Sequence, residues 1–332
     1  MLTLLDRMLL NSAKLTLVEQ NIADMFVHLL RQNELPKKLS KKEANLLKEI
    51  HGEHSPETLF QSALKILARS TAAIPEVFAV SFAQAGGMDV LLGALILDDS
   101  DDKTLVHVLA SITSHPVPLS GSLDGCMHKL LNLSTSSEDQ QCRLYAVRLL
   151  FNLTQSTSPS VFKFQHGSGY LDDLYDRLEQ DAETLLQSSD NIDLPLAAVS
   201  LFIHVCKSDE QLRNGLRNNT KLMQRMCSLF KTFWQAVNTE AQDLNENTLE
   251  AQLLFLTYLS YLIGCFGKDA RVARHLPSGN FECIITVLNN YAKAKEVLHH
   301  SQEAEGNGQG DFNALSSVRD IMDMLASLSL DQ

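Results

Sequence analysis

The sequence predicts an all-α fold, an armadillo- or HEAT-like α-solenoid of stacked helical repeats, on three observations. The 332 residues include only 15 glycines and 8 prolines, and leucine is by far the commonest residue, a composition that favours long helices over turn-rich β architecture. Apolar residues recur at helical spacing almost everywhere, and no convincing alternating strand is visible. A turn-and-helix pattern also returns about every 41 residues, the length of an armadillo or HEAT unit.

The individual helices are predicted from their apolar faces and from their end signals. The first helix is expected from about residue 14 to residue 32, because apolar residues from Leu15 to Leu29 trace one face. Later helix starts are predicted at capping boxes, where a serine precedes Glu or Gln by three residues: Ser40, Ser137 and Ser208. Helix ends are predicted at Pro36, at Gly86-Gly87, at Pro116 and Pro118, and at Gly167-Ser168-Gly169.

The repeat emerges when these signals are aligned. A helix ending at Thr113 is followed, about 41 residues later, by one ending at Thr154, and the glycine turn at Gly87 returns at Gly169 after twice that interval. A single unit cannot bury its apolar face, so the units are expected to stack into a right-handed superhelix with one concave surface. The predicted organisation is a helical cap at residues 1–54 and one continuous solenoid at residues 55–332.

Charge and cysteine spacing exclude several classes of function. The net charge is −12, from 40 acidic and 28 basic residues, so direct nucleic-acid binding is not expected. The six cysteines are too widely spaced for a zinc knuckle or a redox pair, and reduced, buried thiols of an intracellular protein are predicted. The uncharged run at residues 251–267 is shorter than a bilayer span requires, so we expect a buried core helix and no membrane partner.

No arrangement of residues predicts catalysis. The sequence contains no phosphate loop, no zincin helix, no dinucleotide fingerprint and no nucleophile elbow; the turn at residues 121–125 has Leu123 where a nucleophile would stand. The protein is therefore expected not to be an enzyme, and no metal, cofactor or small-molecule substrate is predicted.

Two polar features leave alternatives open. Asn152 near the end of a predicted third helix is either a peptide-binding residue, as in armadillo proteins whose groove asparagines hold a peptide backbone, or a cap of its own helix end. The acidic stretch at residues 171–190 is either a solvated face or a docking surface for a basic partner. Four basic residues could form a stripe in the next helices: Arg213, Arg217, Lys221 and Arg225.

The stretch from Thr257 to Tyr291 has an order of elements that indicates a particular protein family. An apolar helix ending in Ile263-Gly264-Cys265 is followed by a short basic helix, a proline turn and a closing helix. The turn reads His275-Leu276-Pro277-Ser278-Gly279-Asn280-Phe281. This order resembles the C-terminal domain of the Wapl (wings apart-like) cohesin-release factors. The family usually has an acidic residue at the position of Asn280, and its long N-terminal region with motifs for a HEAT-repeat cohesin cofactor is not visible in this sequence.

The resemblance implies a nuclear, non-enzymatic factor of sister chromatid cohesion and the cell cycle. Such a factor contacts the cohesin complex, meaning an SMC ATPase head, the kleisin and their HEAT-repeat cofactors, and promotes opening of the SMC–kleisin gate so that DNA escapes. On this interpretation the chain is a folded domain of a larger protein or a short form. The alternative is a peptide-binding armadillo adaptor of nuclear transport or of the cytoskeleton, and Asn152 bears on that alternative.

The partner-binding surface is predicted on the segment that carries the resemblance. Lys268, Arg271 and Arg274 form a basic ridge immediately before the Pro277 turn, and His275 adjoins it. An acidic patch of an SMC head or of the kleisin is the expected ligand of this ridge, and Asn280 is included in the predicted site because it lies in the same turn.

Overall fold

The structure is a computed structural model whose regular elements are all helical. It describes residues 19–31, 56–70, 76–96, 102–118, 123–156, 169–188, 191–239, 246–266, 270–279 and 281–304. Within these ranges no strand occurs, and the predicted all-α class is confirmed. The helices are α1 (Glu19–Arg31), α2 (Pro56–Ser70), α3 (Glu76–Gln84), α4 (Gly87–Ile96), α5 (Asp102–Thr113), α6 (Asp124–Ser136), α7 (Gln140–Ser156), α8 (Gly169–Glu183), α9 (Asp193–Ser208), α10 (Glu210–Asn218), α11 (Thr220–Thr239), α12 (Glu246–Cys265), α13 (Ala270–Ala273) and α14 (Glu282–Ala304).

The chain divides into two compact units, Met1–Phe162 and Lys163–Gln332. This division differs from the predicted cap at residues 1–54. Helix α1 packs against α2, α3 and α4, so it is part of the first unit's core. The predicted boundary itself, with the capping box at Ser40 and the stop at Pro36, lies outside the described residues.

The first unit is built from helices that pack on neighbours one to three positions along the chain. The most extensive contact joins α5 to α7, and α6 packs against both α4 and α7. Aromatic side chains fill the core beside α1: the ring centroids of Phe26 and Phe78 are 6.2 Å apart, and those of Phe78 and Phe82 are 5.9 Å apart. All three rings are at most 1% exposed, so this core stabilises the unit mainly by removing apolar area from water.

The predicted stop at Gly86-Gly87 is confirmed, and each glycine has its own reason to be there. Helix α3 ends at Gln84, and Gly86 then takes φ +83°, which lets the chain turn into α4 at an angle of 75°. A Cβ atom on Gly87 would lie 2.3 Å from the Phe82 ring. The Arg31 guanidinium crosses this turn and donates from Nη2 to the Ala85 carbonyl at 3.1 Å.

The second unit centres on α12, which contacts α9, α11 and α14. Helix α12 is long and apolar enough to cross a membrane by length and composition, as is the bent pair of α3 and α4. Most of α12 is nevertheless buried inside the unit, where the Phe255 and Phe233 ring centroids are 4.7 Å apart. The prediction of a buried core helix is confirmed for residues 251–266.

The predicted helix caps at Ser137 and Ser208 are wrong. Asp139 caps α7, because its Oδ1 accepts hydrogen bonds from the backbone amides of Gln141 and Cys142 at 2.8 and 3.1 Å. Asp209 caps α10 in the same way, accepting from Leu212 N at 2.9 Å. A carboxylate carries a full negative charge against the positive end of the helix dipole, so it is favoured over the neighbouring hydroxyl.

Candidate protein-interaction site

The segment from α13 to α14 forms a tight turn anchored by buried residues. His275 N and Leu276 N donate to the carbonyls of Val272 and Ala273 at 3.0 and 3.1 Å, and a 3₁₀ turn follows at Pro277–Gly279. Gly279 has φ +70°, a conformation that glycine adopts without strain. Val272, Leu276 and Phe281 are 1%, 5% and 8% exposed, so they fix the turn to the core.

Two predicted site residues lie exposed on this turn. Arg274 and His275 are both exposed, and His275 Nε2 is 3.4 Å from Nε2 of Gln224 on α11. Arg271 belongs to α13, but its side chain is outside the described part of the structure, and Lys268 and Asn280 lie outside the described residues altogether. The turn therefore brings Arg274 and His275 together beside α11.

Asn152 is not near this turn, because it lies in the first unit and bonds to another helix there. Its Nδ2 donates to the Ala110 carbonyl at 2.9 Å and to Thr113 Oγ1 at 3.2 Å, both at the end of α5. Both N–H donors of the Asn152 side-chain amide are used in these bonds. Asn152 thus ties α7 to the carboxyl end of α5, a contact that neither alternative stated for it included.

Sequence motifs did not predict two further side-chain contacts between helices. The rings of His107 on α5 and Tyr145 on α7 stack at 4.1 Å with an interplanar angle of 17°. Burial, together with the nearby cations Arg148 and Lys103, holds the pKa of His107 below its usual value. Such pairs depend on residues that are far apart in sequence, and only the alignment of repeats could have indicated them.

In the second unit, Lys207 on α9 donates from Nζ to the Tyr261 hydroxyl on α12 at 3.1 Å. The same Nζ lies 5.7 Å from the centre of the Tyr261 ring, within the range of a cation–π interaction. This contact joins α9 to α12 as the His107–Tyr145 stack joins α5 to α7, in each case through one side chain from each helix.

The acidic stretch after residue 171 is partly neutralised inside the second unit. The Arg225 guanidinium on α11 forms ion pairs with Asp176 and Glu179 on α8 and lies 5.1 Å from the Tyr175 ring. Asn219 Nδ2 donates to Asp172 Oδ1 at 2.9 Å. These contacts join α8 to α11, so three acids of the stretch serve the packing of the unit.

The cysteines and other ligand-type residues form no metal site among the residues described. All six cysteines are free thiols, five of them buried and Cys265 partly so. Burial raises the pKa of Cys227 and Cys265 to about 12 each and that of Cys283 to about 11. No group of three or more His, Cys, Asp or Glu side chains that could hold a metal ion occurs in the described ranges.

Comparisons with known proteins leave the family open. No protein-family model matches the chain, and no curated protein sequence does. Among solved structures, one engineered protein from a structural genomics programme is 13% identical, with a TM-score of 0.36, covering 78% of this chain and 97% of that one. A second engineered protein from the same programme is 14% identical, with a TM-score of 0.41, covering 98% of this chain and 77% of that one.

Proposed function

We propose that this chain is a nuclear, non-enzymatic protein-binding domain that contacts cohesin and promotes its release from DNA. The proposal rests on the resemblance of residues 257–291 to the Wapl factors. One structural observation supports it: within that segment, the turn between α13 and α14 is anchored by buried residues and carries exposed charged and polar side chains. Leu276 and Phe281 are buried beneath the turn, while Arg274 and His275 are exposed above it.

A charged turn that is anchored by buried residues suits recognition of another protein. The buried anchors fix the turn before any partner arrives, so little conformational entropy is lost when it binds. An exposed guanidinium steers an acidic partner and fixes its register, because charge at the edge of an interface acts mainly on association and orientation. In this proposal the ligand of Arg274 is an acidic patch of an SMC head or of the kleisin.

The proposed mechanism needs no chemistry on the part of this chain. The cohesin gate has a closed and an open state, and a protein that binds the open state more tightly raises its population by the ratio of the two affinities. The chain would therefore act by differential binding, and the SMC ATPase would supply any nucleotide hydrolysis. The HEAT-repeat cofactors of cohesin would be further partners, and no nucleic acid, membrane or small molecule would bind directly.

The test is a binding titration with the purified trimer of two SMC subunits and kleisin. The native chain should bind saturably, and the variant Arg271→Glu with Arg274→Glu should bind at least tenfold more weakly at low salt, since two attractive contacts become repulsive. Circular dichroism of the variant checks its helicity; at the exposed Arg274 a substitution usually changes the free energy of unfolding by less than about 0.5 kcal/mol. A native chain that does not bind cohesin, or a folded variant that binds as the native chain does, would refute the proposal.

A further inference from the structure

Helix α11 differs in charge from the rest of this acidic protein. Its 20 residues contain Lys221, Arg225 and Lys231 and no Asp or Glu, whereas the whole chain has a net charge of −12. A helix of this length with basic residues alone presents a local positive field, provided that its cations are not neutralised by neighbouring helices.

The three cations of α11 are used in different ways. Arg225 forms ion pairs with Asp176 and Glu179 of α8, so its charge is neutralised within the unit. Lys221 and Lys231 are both exposed. No ion pair among the described residues involves either lysine or Arg274.

Helical geometry places both lysines on the face of α11 that carries Gln224. Gln224, which contacts His275, lies three residues after Lys221 and seven before Lys231. Residues three or seven apart share one face of a helix, and a rise of 1.5 Å per residue separates the two lysines by about 15 Å along the axis. The polar side chains of Gln224 and Ser228 lie exposed between them.

From this arrangement we infer that Lys221 and Lys231, with Arg274 and His275 beside them, form one docking surface for an acidic segment of a partner protein. We call these four residues the α11 basic surface. The inference deepens the proposed function and rests on it for the role of the Arg274 turn. Lys221 and Lys231 lie outside the segment of family resemblance. The expected ligand is a peptide with Asp or Glu side chains spread over about 15 Å, the span of ten helical residues.

The surrounding charges favour a protein segment over nucleic acid. Helix α8, which contacts α11, carries Asp172, Asp173, Asp176, Glu179 and Glu183. The acidic α8 and the net charge of −12 repel a duplex, which carries one phosphate charge about every 1.7 Å, more strongly than a short peptide with a few separate carboxylates. Two exposed lysines about 15 Å apart along α11, with the Arg274 turn in contact with the same helix, match the peptide better.

A peptide-binding measurement tests the inference without cohesin. The probe is a fluorescein-labelled, 15-residue helix-forming peptide of Ala and Glu, and its matched control has Gln at each Glu position. By fluorescence anisotropy at low salt, the native chain should bind the Glu peptide at least tenfold more tightly than the Gln peptide. Binding should weaken steeply by 0.5 M salt, because exposed charges are screened over a few ångströms there.

Charge reversal assigns the binding to this surface. The variant Lys221→Glu with Lys231→Glu should bind the Glu peptide about tenfold more weakly than the native chain. The control variant Lys65→Glu with Lys293→Glu changes the net charge equally at two exposed lysines elsewhere, and it should bind within twofold of native. The milder pair Lys221→Gln with Lys231→Gln should show an intermediate loss, and circular dichroism spectra like that of the native chain exclude misfolding as the cause.

Each outcome separates the inference from the proposed function. The inference is overturned if the native chain does not distinguish the two peptides, if both charge-reversed variants weaken binding equally, or if a DNA duplex of equal length displaces the peptide at lower concentration. If the chain binds the Glu peptide through Lys221 and Lys231 but does not bind cohesin, the α11 basic surface is supported and the cohesin proposal is refuted. If the variant Lys221→Glu with Lys231→Glu binds cohesin as tightly as the native chain does, cohesin binding stands and the α11 basic surface is not its site.

Discussion

Replacing Asn152 with alanine should destabilise the first unit, because it removes the link from α7 to the end of α5. Two hydrogen bonds of 2.9 and 3.2 Å are lost, and each contributes about 1 kcal/mol net. The acceptors lie at Ala110 and Thr113, which are 6% and 4% exposed, so water replaces the lost donor poorly. Alanine has a higher helix propensity and returns about 0.6 kcal/mol. The net loss in the free energy of unfolding should be about 1 to 2 kcal/mol.

The assay is urea unfolding followed by circular dichroism at 222 nm. Asn132→Ala is the matched control, since Asn132 is exposed on α6 in the same unit, and it should leave the free energy of unfolding unchanged or slightly raised through helix propensity. In a double-mutant cycle, Asn152→Ala and Thr113→Val should be coupled by about 0.5 kcal/mol or more. If Asn152→Ala is as stable as Asn132→Ala, the link does not stabilise the unit, and Asn152 becomes available again as a peptide-binding residue.

Three further predictions follow from burial and close packing. Gly87→Ala should lower the free energy of unfolding by about 1 to 3 kcal/mol, since its Cβ would lie 2.3 Å from a buried ring. The control Gly93→Ala meets nothing within 4 Å and should raise the free energy of unfolding by up to about 1 kcal/mol. Equal melting temperatures of the two variants would contradict this. Because burial lowers the pKa of His107 below 6.5, the unfolded chain takes up the proton first, so stability should fall as the pH falls below 6.5, and His107→Phe should reduce that fall; an unchanged pH profile in the variant would count against it. Burial raises the pKa of Cys227 and Cys265 to about 12. In a variant whose other four cysteines are alanine, neither thiol should therefore react with Ellman's reagent at pH 8 until the chain unfolds; fast colour release by that folded variant would disprove this.

Local signals predicted the helices well and their caps poorly. The apolar periodicity and the Gly86-Gly87 turn depend on neighbouring residues only, and both predicted the structure. At the starts of α7 and α10 the capping-box pattern selected Ser137 and Ser208, although Asp139 and Asp209 provide the caps. A serine and an aspartate one or two residues apart compete for the same amides, and a pattern of residue types does not decide the backbone geometry that favours one of them.

Contacts between distant residues were the part that the sequence could indicate least. The Arg225 ion pair with Glu179 joins residues 46 positions apart, and the repeat period does not indicate which charges meet. The Asn152 bond to Ala110 spans 42 positions, close to the repeat length of about 41 residues. Ser111 and Asn152 occupy equivalent places in successive repeats, so the repeat places Asn152 close to Ala110 without indicating the bond between them.

Release of cohesin from DNA tests the proposed function most directly. Purified cohesin is loaded onto closed circular DNA, unbound protein is removed at high salt, and the fraction retained is measured over time with ATP and the cohesin cofactors, with and without this chain. We expect the native chain to accelerate release and Arg271→Glu with Arg274→Glu to do so less, while Lys65→Glu with Lys293→Glu acts as the native chain does. Retention that is unaffected by the native chain would contradict a role in cohesin release.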